Sequence, residues 1–516
     1  MDVNFPANKN RTIYARLNAL FRSADSFVDF AESKRVFVAP AFTWEIGPST
    51  SLTLLTSYRD DWMNLAFPLP ARGTVLPNPN GEIPISRYIG NPAHPNDEWE
   101  RIIRVGYEFN HRFNESIGLV QNFRYFWLDW TSNNLSYPQF LSEDGRILTL
   151  QGYQAEGNYY GWRIDTASDF AFGTGPFDHI VLLGVDYRST TQDFTSQDAN
   201  TIELDVFTPN YDALPPYVYG PKMTSKETYG DLGIYLQDQV KLLKNVTLTA
   251  GIRYDYSYFD IPIAFGTDES GGYYAEYAFS PRVGITYEFF PGAAAYFNWS
   301  RSFNPQWFST DAAGKPVAPE TGENFEVGLK WSLFNNRLVG LMSLYQLTRN
   351  NVATPDLSTP EPFDSIVTGQ QRVRGFELEL AANPIPGLEI VLAYTFINAE
   401  VTEDNIIPIG TPLQGVPANS FSAWGKYTIQ EGPLQGLGLG LGGVYYSSQS
   451  GDIENTFELP AYGVMDTAIY YKRGRYRAQV NFNNVLNSRY FVGSFDEVYV
   501  LPGAPFNVLA SLTVEF

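Results

Sequence analysis

Residues 245–258 read NVTLTAGIRYDYSY. Val246, Leu248, Ala250, Ile252, Tyr254, Tyr256 and Tyr258 fall at every second position, with Thr247, Thr249, Gly251, Arg253, Asp255 and Ser257 between them. Successive side chains of a strand point to opposite faces, so this segment is predicted to be a strand with one apolar and one hydrated face. The pattern returns at 282–289, where Val283, Ile285, Tyr287 and Phe289 oppose Arg282, Gly284, Thr286 and Glu288. It returns again at 324–331, where Phe325, Val327, Leu329 and Trp331 oppose Asn324, Glu326, Gly328 and Lys330. Charges recur on the second face, and Tyr and Trp close the apolar face at strand ends, as in the aromatic girdles of membrane barrels.

No apolar run approaches the roughly 18 residues that a spanning helix needs, so any membrane span has to be built from strands. Such strands hide their apolar content in alternate positions of segments about ten residues long. The aromatic share of 16%, with 34 Tyr, 37 Phe, 43 Gly and 34 Pro, suits many short strands better than helices. The chain has no Cys, which removes disulfides, thiolate zinc clusters and thiol nucleophiles. A net charge of −21 without clustered Lys and Arg argues against a nucleic-acid partner.

The connections between strands fall into two alternating classes. Short turns are predicted at 8–10, 243–245, 291–292, 335–336, 386–387 and 473–475. Longer polar links are predicted around 60–98, 132–144, 192–226, 303–322, 355–364 and 495–505. Short turns on one rim and long loops on the other are the mark of an outer-membrane barrel. Counting them gives about 20 full antiparallel strands between Thr12 and Phe516, an all-β architecture. The final strand, NVLASLTVEF at 507–516, alternates and ends on Phe516, a residue of the kind that barrel-insertion machinery reads as an assembly signal.

Several blocks resemble the TonB-dependent ferric-siderophore receptors, in particular the ferrichrome type. They are YARLNALFRSADSFVDF (14–30), VAPAFTW (38–44), SFNPQ (302–306), PETGENFEVGLKW (319–331), RGFELEL (374–380) and VNFNNVLNSRYF (480–491), followed by LPGAPFNVLASLTVEF (501–516). The resemblance spans nearly the whole chain and implies that 1–516 is the receptor's β-barrel domain. Laid against the family's barrel of about 22 strands, residues 1–10 match only a stub of strand 2, and 11–516 match strands 3 to 22. The family's signal peptide, TonB box and plug have no counterpart in this sequence, so the family's own first and last strands are not expected to pair.

The resemblance further implies a cell outer-membrane location and uptake of a ferric siderophore of the hydroxamate, ferrichrome-like class. Its expected partners are that siderophore, outer-membrane lipid, the barrel-insertion machinery and, only through a plug, the TonB system. Iron would travel inside its chelator, so neither a bound cofactor nor a protein metal site is expected. Family receptors grip the chelate with loop aromatics, and the corresponding stretches here hold Trp62 and Phe67 in the first long loop, Tyr211, Tyr217 and Tyr219 in TPNYDALPPYVYGP, and Tyr499 in the last loop. Each of these also fits a loop-packing or girdle role.

Charges on the hydrated face, such as Arg253, Asp255, Glu326, Lys330, Glu377 and Glu379, fit a wetted wall whose charges pair across strands. GLGLGLGG (436–443) superficially suits a phosphate loop, but no helix pattern or Lys follows, and a strand with Leu437, Leu439 and Leu441 facing lipid explains it better. His94, His111 and His179 lack metal-ligand spacing. His111 has Ser and Asn nearby, yet no nucleophile motif supports a barrel lipase, and no catalytic residue is expected. An open porin-like channel, a non-functional receptor fragment and a soluble β-protein are the alternatives; the last would need a regular repeat, and none is visible.

Overall fold

A computed structural model describes residues 1–261, 272–359 and 364–516. The chain divides into two compact units. The first comprises 1–69, 78–242 and 249–282, and the second 70–77, 243–248 and 283–516. The architecture is all-β and antiparallel, its one helical element being a single 3-10 turn at Tyr211–Ala213 among the described residues. No described helix is long and apolar enough to cross a membrane.

The first unit contains β1 (Asp2–Pro6), β2 (Ile13–Asp25), β3 (Glu32–Gly47), β4 (Thr50–Asn64) and β5 (Asp97–Asn114). It continues with β6 (Ile117–Leu141), β7 (Ile147–Thr174), β8 (Phe177–Asp205), β9 (Met223–Leu243) and most of β10 (Val246–Ile261). Each strand pairs with the next in an antiparallel meander. β11 (Gly272–Phe290) passes from the first unit to the second.

In the second unit the meander runs through β12 (Ala293–Thr310), β13 (Pro316–Leu333), β14 (Leu338–Pro355), β15 (Ser365–Ala382), β16 (Leu388–Glu403), β17 (Asn419–Thr428) and β18 (Leu437–Tyr446). Two-residue strands β19 (Gln449–Ser450) and β20 (Glu458–Leu459) pair with each other. The main run resumes with β21 (Tyr462–Arg473) and β22 (Tyr476–Asn483). After the short pair β23 (Phe491–Ser494) and β24 (Val500–Pro502) it ends on β25 (Asn507–Val514).

The alternation read in the sequence governs both units. In the first, Leu54, Val105, Leu183, Ile234 and Ile252 are exposed on one face. The intervening positions of β10 carry Arg253, Asp255 and Ser257, the last two buried among polar neighbours. In the second, Val327, Leu344, Leu439, Leu441 and Leu512 are exposed on the apolar face. A sheet exposing this much apolar surface needs lipid rather than water against it.

Several turns fall where expected, and Gly292 shows why one of them is glycine. Its φ is +84°, and a Cβ there would lie 2.4 Å from the Ser332 carbonyl oxygen. The longer links differ from the sequence reading. Residues 132–141 belong to β6, 192–205 to β8, and 303–310 to β12, so three stretches expected as loop extend the ladder. The extensions are held by polar cross-strand contacts, among them Gln154 to Gln197 (2.7 Å) and the Tyr229 hydroxyl to Gln192 (2.6 Å). Polar side chains on both faces erase the hydropathy signal but leave the backbone ladder intact. Part of the expected 355–364 loop, residues 360–363, lies outside the described residues.

Candidate functional site

The first long loop, 65–96, is packed rather than loose. Tyr88 is fully buried with Val28 and Ala31, and Phe27 and Tyr211 close over them. Its hydroxyl donates to the Asn64 Oδ1 (2.7 Å) and accepts from the Asn96 backbone N–H (3.1 Å). Arg87 donates to the carbonyls of Val206 (2.9 Å) and Phe207 (3.0 Å), and Asn78 to that of Gly145 (2.7 Å). Three chain segments on the long-loop rim of the first unit are thereby tied together.

The expected ligand aromatics take different positions. Trp62 lies on β4 directly opposite Lys34 and Trp99, on the same face as Leu54 and Val36. The Lys34 ammonium sits 4.6 Å from its ring centre. Asp60 on that face accepts from Tyr58 (2.9 Å), Trp99 (3.1 Å) and Arg101 (3.2 Å), so this cluster forms a polar and aromatic border to the apolar face. Phe67 meets Tyr137 edge-on at 5.1 Å. Tyr211 donates to the Tyr88 carbonyl (2.8 Å) and stands edge-on to Phe30.

Tyr217 is buried and donates to Ser136 (2.9 Å), its ring so close over Gly152 that a Cβ there would be 2.3 Å away. Burial pushes its hydroxyl well above the usual tyrosine range. Tyr219 is half-buried and donates to Asn134 (3.0 Å). Tyr499, in the second unit, is half-buried in a turn closed by the Phe495 N–H on its carbonyl (3.1 Å). It adjoins a small core of Ala71, Phe457, Leu459, Phe491 and Val500, across which Gln414 donates to Ser494 and Phe495 carbonyls. Phe516 follows β25 and is fully exposed.

The polar faces carry features that the sequence reading passed over. In the first unit Asp61, 2% exposed, accepts a bidentate pair from Arg35 (2.6 and 2.8 Å) and lies 3.2 Å from Arg59, which in turn donates to Glu100 (2.7 Å). Asp186 bridges Arg163 (2.9 Å) and Arg253 (2.6 Å), and Arg253 also donates to Asp255 (2.6 Å). Asp61→Asn is expected to weaken the fold by about 2 kcal/mol, because two guanidiniums lose their shared carboxylate while keeping partial hydration. The midpoint of urea unfolding in lipid vesicles would show it, and an unchanged midpoint would refute it. Pairing across strands is expected for Arg253 and Asp255: Arg253 reaches Asp186 on β8, whereas Asp255 pairs with Arg253 within β10. Arg35, Arg59, Arg104 and Arg124 carry no role in the sequence-based expectations although they occupy hydrated alternate positions, while Arg101 belongs to the border of the apolar face.

Two of the three histidines serve the ladder, and His94 lies in the 65–96 loop. His111 Nδ1 meets Thr50 Oγ1 (2.8 Å) between Phe109 and Phe113, and His179 is bracketed by Thr174 (2.7 Å) and Asp238 (2.8 Å). Among the described residues no group of three His, Cys, Asp or Glu is placed to hold a metal ion.

The family of TonB dependent receptor-like β-barrels matches residues 43–485. The chain belongs to that family. This receptor barrel is 31% identical to the ferrichrome outer membrane transporter/phage receptor of Escherichia coli K12, covering 97% of the chain and 70% of that protein. It is 30% identical to the metal-pseudopaline receptor of Pseudomonas aeruginosa PAO1, covering 100% and 73%. With the ferrioxamine B receptor of Salmonella typhimurium LT2 the identity is 28%, again over 100% and 73%. Two solved structures share its fold. The ferripyoverdine receptor of P. aeruginosa superposes with a TM-score of 0.84 at 18% identity, covering 100% of the chain and 69% of that one. The ferric-catecholate import receptor of E. coli K12 gives 0.85 at 18%, covering 100% and 79%. The receptor barrel is thus an outer-membrane transport receptor of the siderophore type and not an enzyme.

Proposed function

We propose that the chain forms the barrel through which a ferric siderophore of the hydroxamate class is taken up. The observation carrying this reading is the alignment of the chain, almost end to end, with the ferrichrome transporter and the ferrioxamine B receptor. The ligand enters from the long loops, where Phe67, Tyr211 and Tyr219 of the first unit offer ring surface to its apolar shell while Tyr217 stiffens the loop beneath, and Tyr499 is the corresponding aromatic of the second unit. Trp62, on the apolar face, anchors the rim against the headgroup layer. Iron stays within its chelator and takes no protein ligand. The energised step requires a plug and TonB; insertion draws on the assembly machinery reading the last strand and Phe516.

The test is uptake of radiolabelled iron in an outer-membrane strain stripped of its own siderophore receptors, expressing this barrel with an export signal and a plug segment. Uptake from a ferric hydroxamate that stops when TonB is deleted supports the reading. Uptake of small solutes that ignores both chelate and TonB would instead make the barrel a passive channel.

A further inference from the structure

The polar face of β2 to β7 contains two arginine pairs set directly opposite one another across the ladder, Arg22 with Arg35 and Arg124 with Arg163. Like charges in that position repel, and proteins avoid them unless something negative sits between. The carboxylates nearby are largely committed. Asp61 serves Arg35 and Arg59, Glu100 serves Arg59, and Asp186 serves Arg163 and Arg253. Among the described residues Arg22 and Arg104 make no ion pair or hydrogen bond, and Arg104 has the like charges of Arg59 and Arg124 around it against the single carboxylate of Glu100, which is itself bonded to Arg59. Arg124 reaches only Glu108, at 3.8 Å, and its side chain is 70% exposed.

The same face carries partly exposed apolar surface from Phe37, Phe126 and Leu128, which alternate with the charged positions, above a buried Ile102. Trp130, opposite Glu100, adds a buried indole N–H without a hydrogen-bond partner. The wall is therefore rich in unused donors beside hydrocarbon, in a chain whose net charge is −21.

We infer that this wall receives a net-negative chelate, one bearing carboxylates at its periphery, through Arg22, Arg104 and Arg124. Guanidinium forks match carboxylates in geometry as well as charge, and the flanking apolar residues suit the chelate's carbon framework. This deepens the uptake reading above and rests on it.

The experiment measures equilibrium binding of two radiolabelled ferric chelates to the detergent-solubilised chain: a citrate-based dihydroxamate, which is anionic, and a neutral trihydroxamate. The wild type is expected to favour the anionic chelate, and the Arg104→Gln/Arg124→Gln variant to lower the anionic-to-neutral affinity ratio by about tenfold. Arg104→Lys/Arg124→Lys, which keeps the charge, should retain most of the ratio and serves if the glutamine variant does not fold. Preference for the neutral chelate, or an unchanged ratio in the glutamine variant, overturns the inference while leaving the uptake reading intact. An unchanged ratio would assign the arginines to an acidic protein segment instead. Binding of neither chelate removes the uptake reading and this inference together.

Discussion

Gly442→Val is expected to cost about 3 kcal/mol or more and to leave much of the barrel unfolded after refolding into lipid vesicles. A Cβ on Gly442 would lie 2.3 Å from the Ala423 carbonyl oxygen and 2.5 Å from the Trp424 ring, and the carbonyl belongs to the paired strand β17 and cannot move aside. Gly440 is different, since the atoms nearest its Cβ would belong to side chains, Trp424 at 2.5 Å and Tyr470 at 3.0 Å. Gly440→Ala should therefore be milder, and adding Trp424→Ala should recover part of its loss, a coupling that separates ring contact from backbone contact. Heat-modifiable electrophoretic mobility and urea midpoints read both variants. A Gly442→Val barrel with the wild-type midpoint would show that the strands can part without penalty.

The second large effect concerns Tyr88. Tyr88→Phe leaves the Asn96 N–H and the Asn64 carboxamide oxygen buried without their partner, at about 1–3 kcal/mol for each group. The loss should be local. Protease sites within 65–96 should open while the urea midpoint of the strands barely moves, and equal protease resistance in both proteins would contradict the account. The same packing gives a pH signature. Burial, together with the neighbouring Asp97 and Tyr211, pushes the Tyr88 hydroxyl up to about 12, even though its hydrogen bonds to Asn96 and Asn64 act the other way. A folded value raised above the ordinary tyrosine value of about 10 means that the neutral form is favoured by folding. Its contribution is complete below pH 10 and fades as pH climbs from there toward 12, so loop protection should fall across that alkaline window.

The fold was legible wherever one side of a strand had to face hydrocarbon. Val246 to Tyr258 and Asn324 to Trp331 announce their strands because apolar and polar residues alternate without interruption, and the glycines of β18 follow the same logic. The extensions of β6 to β8 escaped, since a ladder such as Gln154 to Gln197 carries no hydropathy contrast. At the rim, residue type announced the aromatics, but type alone does not say that Tyr217 is spent on Ser136 and Gly152, or that Trp62 shares a face with Leu54. The opposed arginines needed the register itself. Arg22 and Arg35 are thirteen positions apart in the chain, and nothing local in the sequence sets them side by side.

Strands β7 and β8, with 28 and 29 residues, are far longer than the roughly ten that cross a bilayer. Their outer stretches draw cohesion from backbone amides that every residue type except proline supplies. Exposed side chains there can be exchanged by mutation without disturbing the register of the embedded portion, whereas Gly152 under the Tyr217 ring and the buried Leu148, Leu150 and Leu204 are fixed. Divergence among close kin should therefore concentrate on those exposed outer positions and spare the embedded portion below.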